Sequence, residues 1–157
     1  MDRRRRRFIA DFAAAGFALT PLAALLAACG RVTMPEGMVE VKWDRDTCVR
    51  CSMALSDRRF AAQVRGGPKD ANFKFDDIGC VAFWLKDQPW ARDAATRIWV
   101  ADVTSRGDAQ QWLDAKKAQY IGGKTSPMGY NYGAVATPQP GSFDFEEMRQ
   151  HVLAKGK

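Results

Sequence analysis

Histidine is all but absent from this 157-residue chain; the one copy is His151. A Ser/His/Asp catalytic set needs a histidine with partners, and His151 has none obvious in the sequence. There is no glycine-rich phosphate loop and no clear paired-carboxylate site. Excess charge is scarce once the N-terminus is set aside. The formal charge of +6 includes five arginines at positions 3–7, offset by Asp2 and Asp11. Without those residues, 19 basic face 16 acidic side chains, a net of +3. That is too weak and scattered for a nucleic-acid surface.

What is present suits one folded domain behind an export address. A hydrophobic content of 46% in 157 residues is enough for a core of its own. Arg3 to Arg7 form a basic region ahead of an apolar run over residues 8–28, broken only by Asp11, Thr20 and Pro21. That is the shape of a signal peptide. Arg5-Arg6-Arg7-Phe8-Ile9 also resembles a twin-arginine motif, so export is expected by the twin-arginine or the Sec route. Leu26-Ala27-Ala28-Cys29 resembles a lipobox, in which Cys29 would be lipidated and lead the mature chain. Acyl chains gain about 0.8 kcal/mol per buried methylene, so more than one holds a protein stably on a membrane. Gly30 lacks the acidic retention character of inner-membrane lipoproteins, which points to the outer membrane. The expected organisation is a signal at 1–28, a lipidated tether at 29–38 and a domain at 39–157.

Local patterning of the domain predicts an α+β fold. Residues 39–43 read as a strand, 44–46 as a turn, and 60–64 as a strand that 72–75 pairs back on. Asp76 or Asp77 caps a helix over 78–86, whose Ile78, Val81, Ala82 and Leu85 share one face and which Pro89 ends. Residues 97–103 form a β-rich central strand. A second helix is expected from Asp108, carrying Trp112, Leu113, Lys116 and Lys117. Strands follow at 119–121 and 134–137. Ser142 or Asp144 caps a last helix with Phe145, Met148 and Val152 on one face.

The chemistry concentrates in Cys48-Val49-Arg50-Cys51-Ser52-Met53, three sulfur side chains in six residues. Soft ligands of this kind select soft metals such as Cu(I). In extended backbone Cys51 and Met53 would face the same side, with Cys48 close by. Met128, between Pro127 and Gly129, would be presented from a turn. Two other readings stay open. Cys48 and Cys51 form a C-x-x-C that suits a thiol–disulfide oxidoreductase, although the residues after it show no helical face. The other is a structural knuckle, either a plain Cys48–Cys51 disulfide or a zinc site that would need Cys80 and His151 to complete it; Cys80 reads as a small core residue and His151 as a surface or capping one.

The order Cys29, Cys48-x-x-Cys51-x-Met53, Arg59-Phe60-Ala61-Ala62-Gln63, Phe75-Asp76-Asp77-Ile78-Gly79-Cys80, Trp99-Val100-x-Asp102, Ala118-x-Tyr120 and Ser126-Pro127-Met128-Gly129 resembles the NosL family of copper-chaperone lipoproteins. The resemblance implies a fold of two small βαβ-type units, similar to that of the organomercurial lyase MerB. It implies a monomeric Cu(I) carrier, not an enzyme. That carrier would face the periplasm and serve nitrous oxide reductase through a membrane ABC-type assembly complex. It assigns the metal to Cys51, Met53 and Met128, with Cys48 next. Tyr130 stands where some relatives carry a histidine, leaving Cys48 or His151 as the further ligand.

Overall fold

The computed structural model describes residues 34–106 and 109–156. The expected signal, Cys29 with its expected lipidation, and Asp108 lie outside the described residues. Two strands open the domain. β1 (Ala62–Gly66) and β2 (Ala71–Phe75) form an antiparallel hairpin. Its turn needs left-handed backbone at Gly67 (φ 77°) and Asp70 (φ 45°), which glycine and short acidic residues tolerate best.

α1 (Ile78–Lys86) follows, capped by the Asp77 carboxylate, which accepts from the Gly79 amide at 2.9 Å. The stripe Ile78, Val81, Ala82 and Leu85 is buried as the spacing requires. β3 (Arg97–Ala101) then pairs with the free side of β1, and β4 (Trp112–Asp114) pairs with β3, giving the order β2-β1-β3-β4. β2 and β3 each run antiparallel to β1 and so parallel to one another. With α1 between them they make a βαβ unit split by β1.

Register assigns the two faces of this sheet. Ala62 and Val64 lie opposite Val100 and Ile98 and belong to the buried core with the α1 stripe. Gln63 and Arg65 lie opposite Trp99 and Arg97 on the other face, which the chain before Val41 covers. The Gln63 carboxamide accepts from the Val39 amide at 3.2 Å and donates to the Val39 carbonyl at 2.7 Å. Arg65 and Arg97 donate to the carbonyls of Gly37 and Glu36. Residues 39–43 therefore form no strand, against expectation. Side chains satisfy this backbone where a ladder would otherwise have to.

The second half is a ββα unit. β5 (Gln119–Ile121) and β6 (Gly133–Val135) pair antiparallel, and α2 (Phe145–Lys155) follows. Asp144 and Glu147 cap α2 reciprocally, a complete capping box. A parallel bridge between Asp102 and Ala134 ties the small sheet to the end of β3. The helix expected around Trp112 and Leu113 is absent. Those residues pair across β4 with Ala101 and Val100, and Lys116 and Lys117 sit in the turn after it. Two adjacent apolar residues cannot build a helical stripe, but they fit a short half-buried edge strand. The α+β class stands. No helix among the described residues is long and apolar enough to cross a membrane.

One position in α1 inverts an ordinary expectation. Alanine normally stabilises a helix interior over glycine by about 1 kcal/mol. A Cβ on Gly79 would collide with the Tyr130 ring. Gly79→Ala is therefore expected to lower stability by roughly 1–3 kcal/mol, measured as an earlier urea midpoint at unchanged m-value.

Candidate metal centre

Residues 44–55 form a narrow loop closed by backbone pairs. The Leu55 amide donates to the Asp46 carbonyl at 2.9 Å, the Asp44 amide to the Leu55 carbonyl at 2.9 Å, and Thr47 bridges Ala54. At its tip the Cys48 amide donates to the Met53 carbonyl at 2.8 Å and the Ser52 amide to the Cys48 carbonyl at 2.9 Å. Ser52 takes a left-handed conformation, φ 61°. That kink breaks the extended run on which Cys51 and Met53 were expected to share a face. The C-x-x-C pair thus sits on a tight turn and opens no helix.

The tip lies against the start of α1. Cys48, Cys51, Cys80 and Asp76 each offer a ligand atom, and these four atoms lie within 4.8 Å of one another. Cys48 and Cys80 are fully buried and Cys51 is half-buried. The Cys51 thiol donates to Asp76 Oδ1 at 3.4 Å. Asp76 Oδ2 is buried with no hydrogen-bond partner. An orphaned buried carboxylate oxygen costs free energy unless something cationic meets it, so the donor set fits a metal ion.

The electrostatics are those of a crowded acid cluster. Cys48 is pulled down to about 4, above all because the Cys80 thiol hydrogen-bonds to it. Cys80 moves up as the donor in that bond and through burial. Burial, then hydrogen bonding to Cys48 and its charge, pushes Cys51 up to about 11 and Asp76 up to about 6. Cys48 is the thiol that ionises first, and each further charge is opposed until a cation arrives.

The next carboxylate along organises a second loop. Asp77 Oδ2 accepts from Ser126 Oγ at 2.6 Å and from the Met128 amide at 3.2 Å, while its Oδ1 caps α1. Ser126 Oγ also accepts from the Asn131 amide at 2.9 Å. The Pro127-Met128-Gly129 turn is thereby fixed at the helix end that carries Cys80. Arg50, between the two cysteines, donates to the Tyr130 hydroxyl at 2.8 Å and lies 4.5 Å over the Phe83 ring. Tyr130 thus latches the cysteine tip to the Met128 turn.

Of the expected residues, Cys48 and Cys51 are brought together in the cluster. Met128 is half-buried on the Asp77-held turn, and Met53 is 49% exposed at the end of the tip. His151 lies on α2 with its ring edge-on to Phe143, 4.7 Å between centroids, and is not one of the four clustered donors. Sequence reasoning did not assign Cys80 or Asp76 to the site. The signal was there in Asp76-Asp77-x-x-Cys80, an acid pair one helical turn before a cysteine, but it reads equally as a cap and a core residue.

Thiolate absorbance near 240 nm in the metal-free domain checks this charge state. About one thiolate per chain is expected to persist at about pH 6 and to fall to about half near pH 4. Absence of thiolate below about pH 8, the behaviour of ordinary cysteines, would contradict it.

The family model for NosL matches residues 40–140. No curated protein matches the chain. The crystal structure of the copper chaperone NosL from Shewanella denitrificans superposes with a TM-score of 0.53 at 16% identity, covering 74% of this chain and 88% of that one, which establishes likeness of fold. The matched segment spans both halves of the fold, from the cysteine tip through the Met128 turn, and by that match this chain belongs to the NosL family.

Proposed function

We propose that this protein carries Cu(I) as cargo on its thiol cluster and passes it to a partner. The observation that carries the reading is the gathering of Cys48, Cys51, Cys80 and Asp76 around one point. Three thiols are soft donors, and two or three such donors suffice for Cu(I). The similar fold of a copper chaperone supports the reading. In this reading Met128, on the turn that Asp77 holds, and Met53, at the exposed end of the tip, supply thioethers beside the thiols.

The arrangement suits hand-over. Cys48 and Cys80 are sealed in, whereas Cys51 and Met53 reach solvent. An acceptor's ligand can enter at the exposed side and bond before the last buried thiolate lets go. Loading must displace protons from Cys51 and Cys80, both raised, so affinity rises with pH through the neutral range. In this reading the chain is a monomeric, non-enzymatic lipoprotein held by Cys29 in the outer membrane and facing the periplasm. Its cargo serves nitrous oxide reductase, through that enzyme's membrane ABC-type assembly complex. Those points rest on the N-terminal pattern and the family resemblance.

A second reading is favoured by one observation. Three cysteines plus Asp76, with its orphaned Oδ2, match the four ligands of a tetrahedral structural zinc. Metal analysis of protein purified without added metal separates the two.

Titration of Cu(I) against a competing chelator tests the proposal. Wild-type protein is expected to hold one Cu(I). Cys51→Ser with Met128→Ala, and Cys80→Ser alone, are each expected to lose about 100-fold or more in affinity. Asp77→Asn, which disturbs the α1 cap and the Met128 turn but removes no metal donor, is expected to lose about tenfold. Unchanged affinity in the Cys51→Ser/Met128→Ala protein would sink the assignment.

A further inference from the structure

The far end of α1 carries a feature unrelated to the thiols. A cavity of about 550 Å³ opens there, between the last turn of α1, the start of β3 and the first turn of α2. Its apolar lining comes from Leu85, Ala91, Ile98 and Phe145. Its charged lining is unbalanced: Lys86, Arg92, Lys116 and Arg149 face a single acid, Glu146. Arg149 is engaged with Glu146, 2.6 Å between Nη2 and Oε1. Lys116 Nζ donates to the Thr96 carbonyl at 2.8 Å. Lys86 and Arg92 are exposed and enter no ion pair among the described residues. A second cavity of about 240 Å³ shares Ile98 and Lys116 in its lining, with Thr96, Trp99 and Asp114 among its other residues.

We propose that this groove binds an extended acidic segment with apolar side chains, belonging to a partner protein. Charge complementarity sets the sign: an excess of cations at the rim of a cavity attracts and orients an anionic chain. The apolar floor calls for a hydrophobic side chain beside the acids, since aliphatic and aromatic anchors supply the affinity that rim charges do not. Two neighbouring cavities that share Ile98 and Lys116 in their linings offer an extended chain two adjacent seats. A flat bilayer surface would meet the rim lysine and arginine but leave the floor at Leu85 and Ile98 empty. Because the groove and the thiol cluster sit at opposite ends of α1, a partner seated here leaves Cys51 and Met53 open. The proposal does not depend on which metal the cluster holds.

Amide chemical-shift titration of the isotope-labelled domain tests it, with a synthetic peptide of alternating glutamate or aspartate and phenylalanine or leucine as the probe. Saturable shifts are expected at Lys86, Ala91, Ile98, Lys116 and Glu146. Affinity is expected to fall by about tenfold or more in Lys86→Glu/Arg92→Glu, and to weaken steadily with added salt. Lys86→Ala/Arg92→Ala should fall in between. Both pairs are exposed, and their thermal transitions serve to show that folding is kept. Equal binding of a lysine-substituted peptide, shifts confined to other surfaces, or no saturable shift would overturn the proposal. So would binding to vesicles containing phosphatidylglycerol without binding to the peptide.

Discussion

Everything at the candidate centre hangs on two neighbouring carboxylates at the start of α1. Asp76 faces three sulfurs, and Asp77 holds the helix end and the Met128 turn at once. A capping residue ordinarily contributes about 1 kcal/mol to a helix. Here the same carboxylate also accepts from a buried serine hydroxyl and a loop amide, so helix, loop and metal donors share one origin. Burial raises Asp77 above the usual carboxylate range, but three donors aimed at it oppose that rise. The split βαβ unit supplies the frame. β2 runs straight into Asp76, and the Val49 amide donates to the Lys74 carbonyl at 3.0 Å, docking the cysteine tip beside the same strand end.

The chemistry follows from crowding. Three thiols and a carboxylate packed this closely cannot all ionise, and the cluster settles its first thiolate on Cys48 by donating other thiols to it. A cation relieves the conflict and satisfies the orphaned oxygen of Asp76. Arg50 adds positive charge beside the thiols, which Tyr130 and the Phe83 ring hold in place. A site built this way does not enclose its ligand, because the half-buried Cys51 and the exposed Met53 leave one flank open.

Much of this was legible in the sequence, and the misses have physical causes. The α1 stripe, its cap, β5 and the capped α2 followed from periodicity and short-range capping rules, which are local. The strand expected at 39–43 failed because Gln63, 24 residues away from Val39, satisfies that backbone with a side chain. The helix expected around Trp112 failed because its pairing partners lie on β3. Cys48 and Cys51 announce themselves by spacing. Cys80 does not, since a lone buried cysteine looks like any small core residue until the fold folds the tip against it. The extended geometry assumed for Cys51 and Met53 failed on one residue, Ser52, whose left-handed backbone no pattern in the hexapeptide foretells.

The central claim is that sulfur from the cysteine tip and from α1 converges on one soft cation. X-ray absorption at the copper edge of the Cu(I)-loaded domain tests it most directly. A first shell of about two to three sulfur neighbours, reduced by one in Cys80→Ser, is the predicted result. A shell dominated by nitrogen or oxygen, or one that Cys80→Ser leaves unchanged, would contradict it.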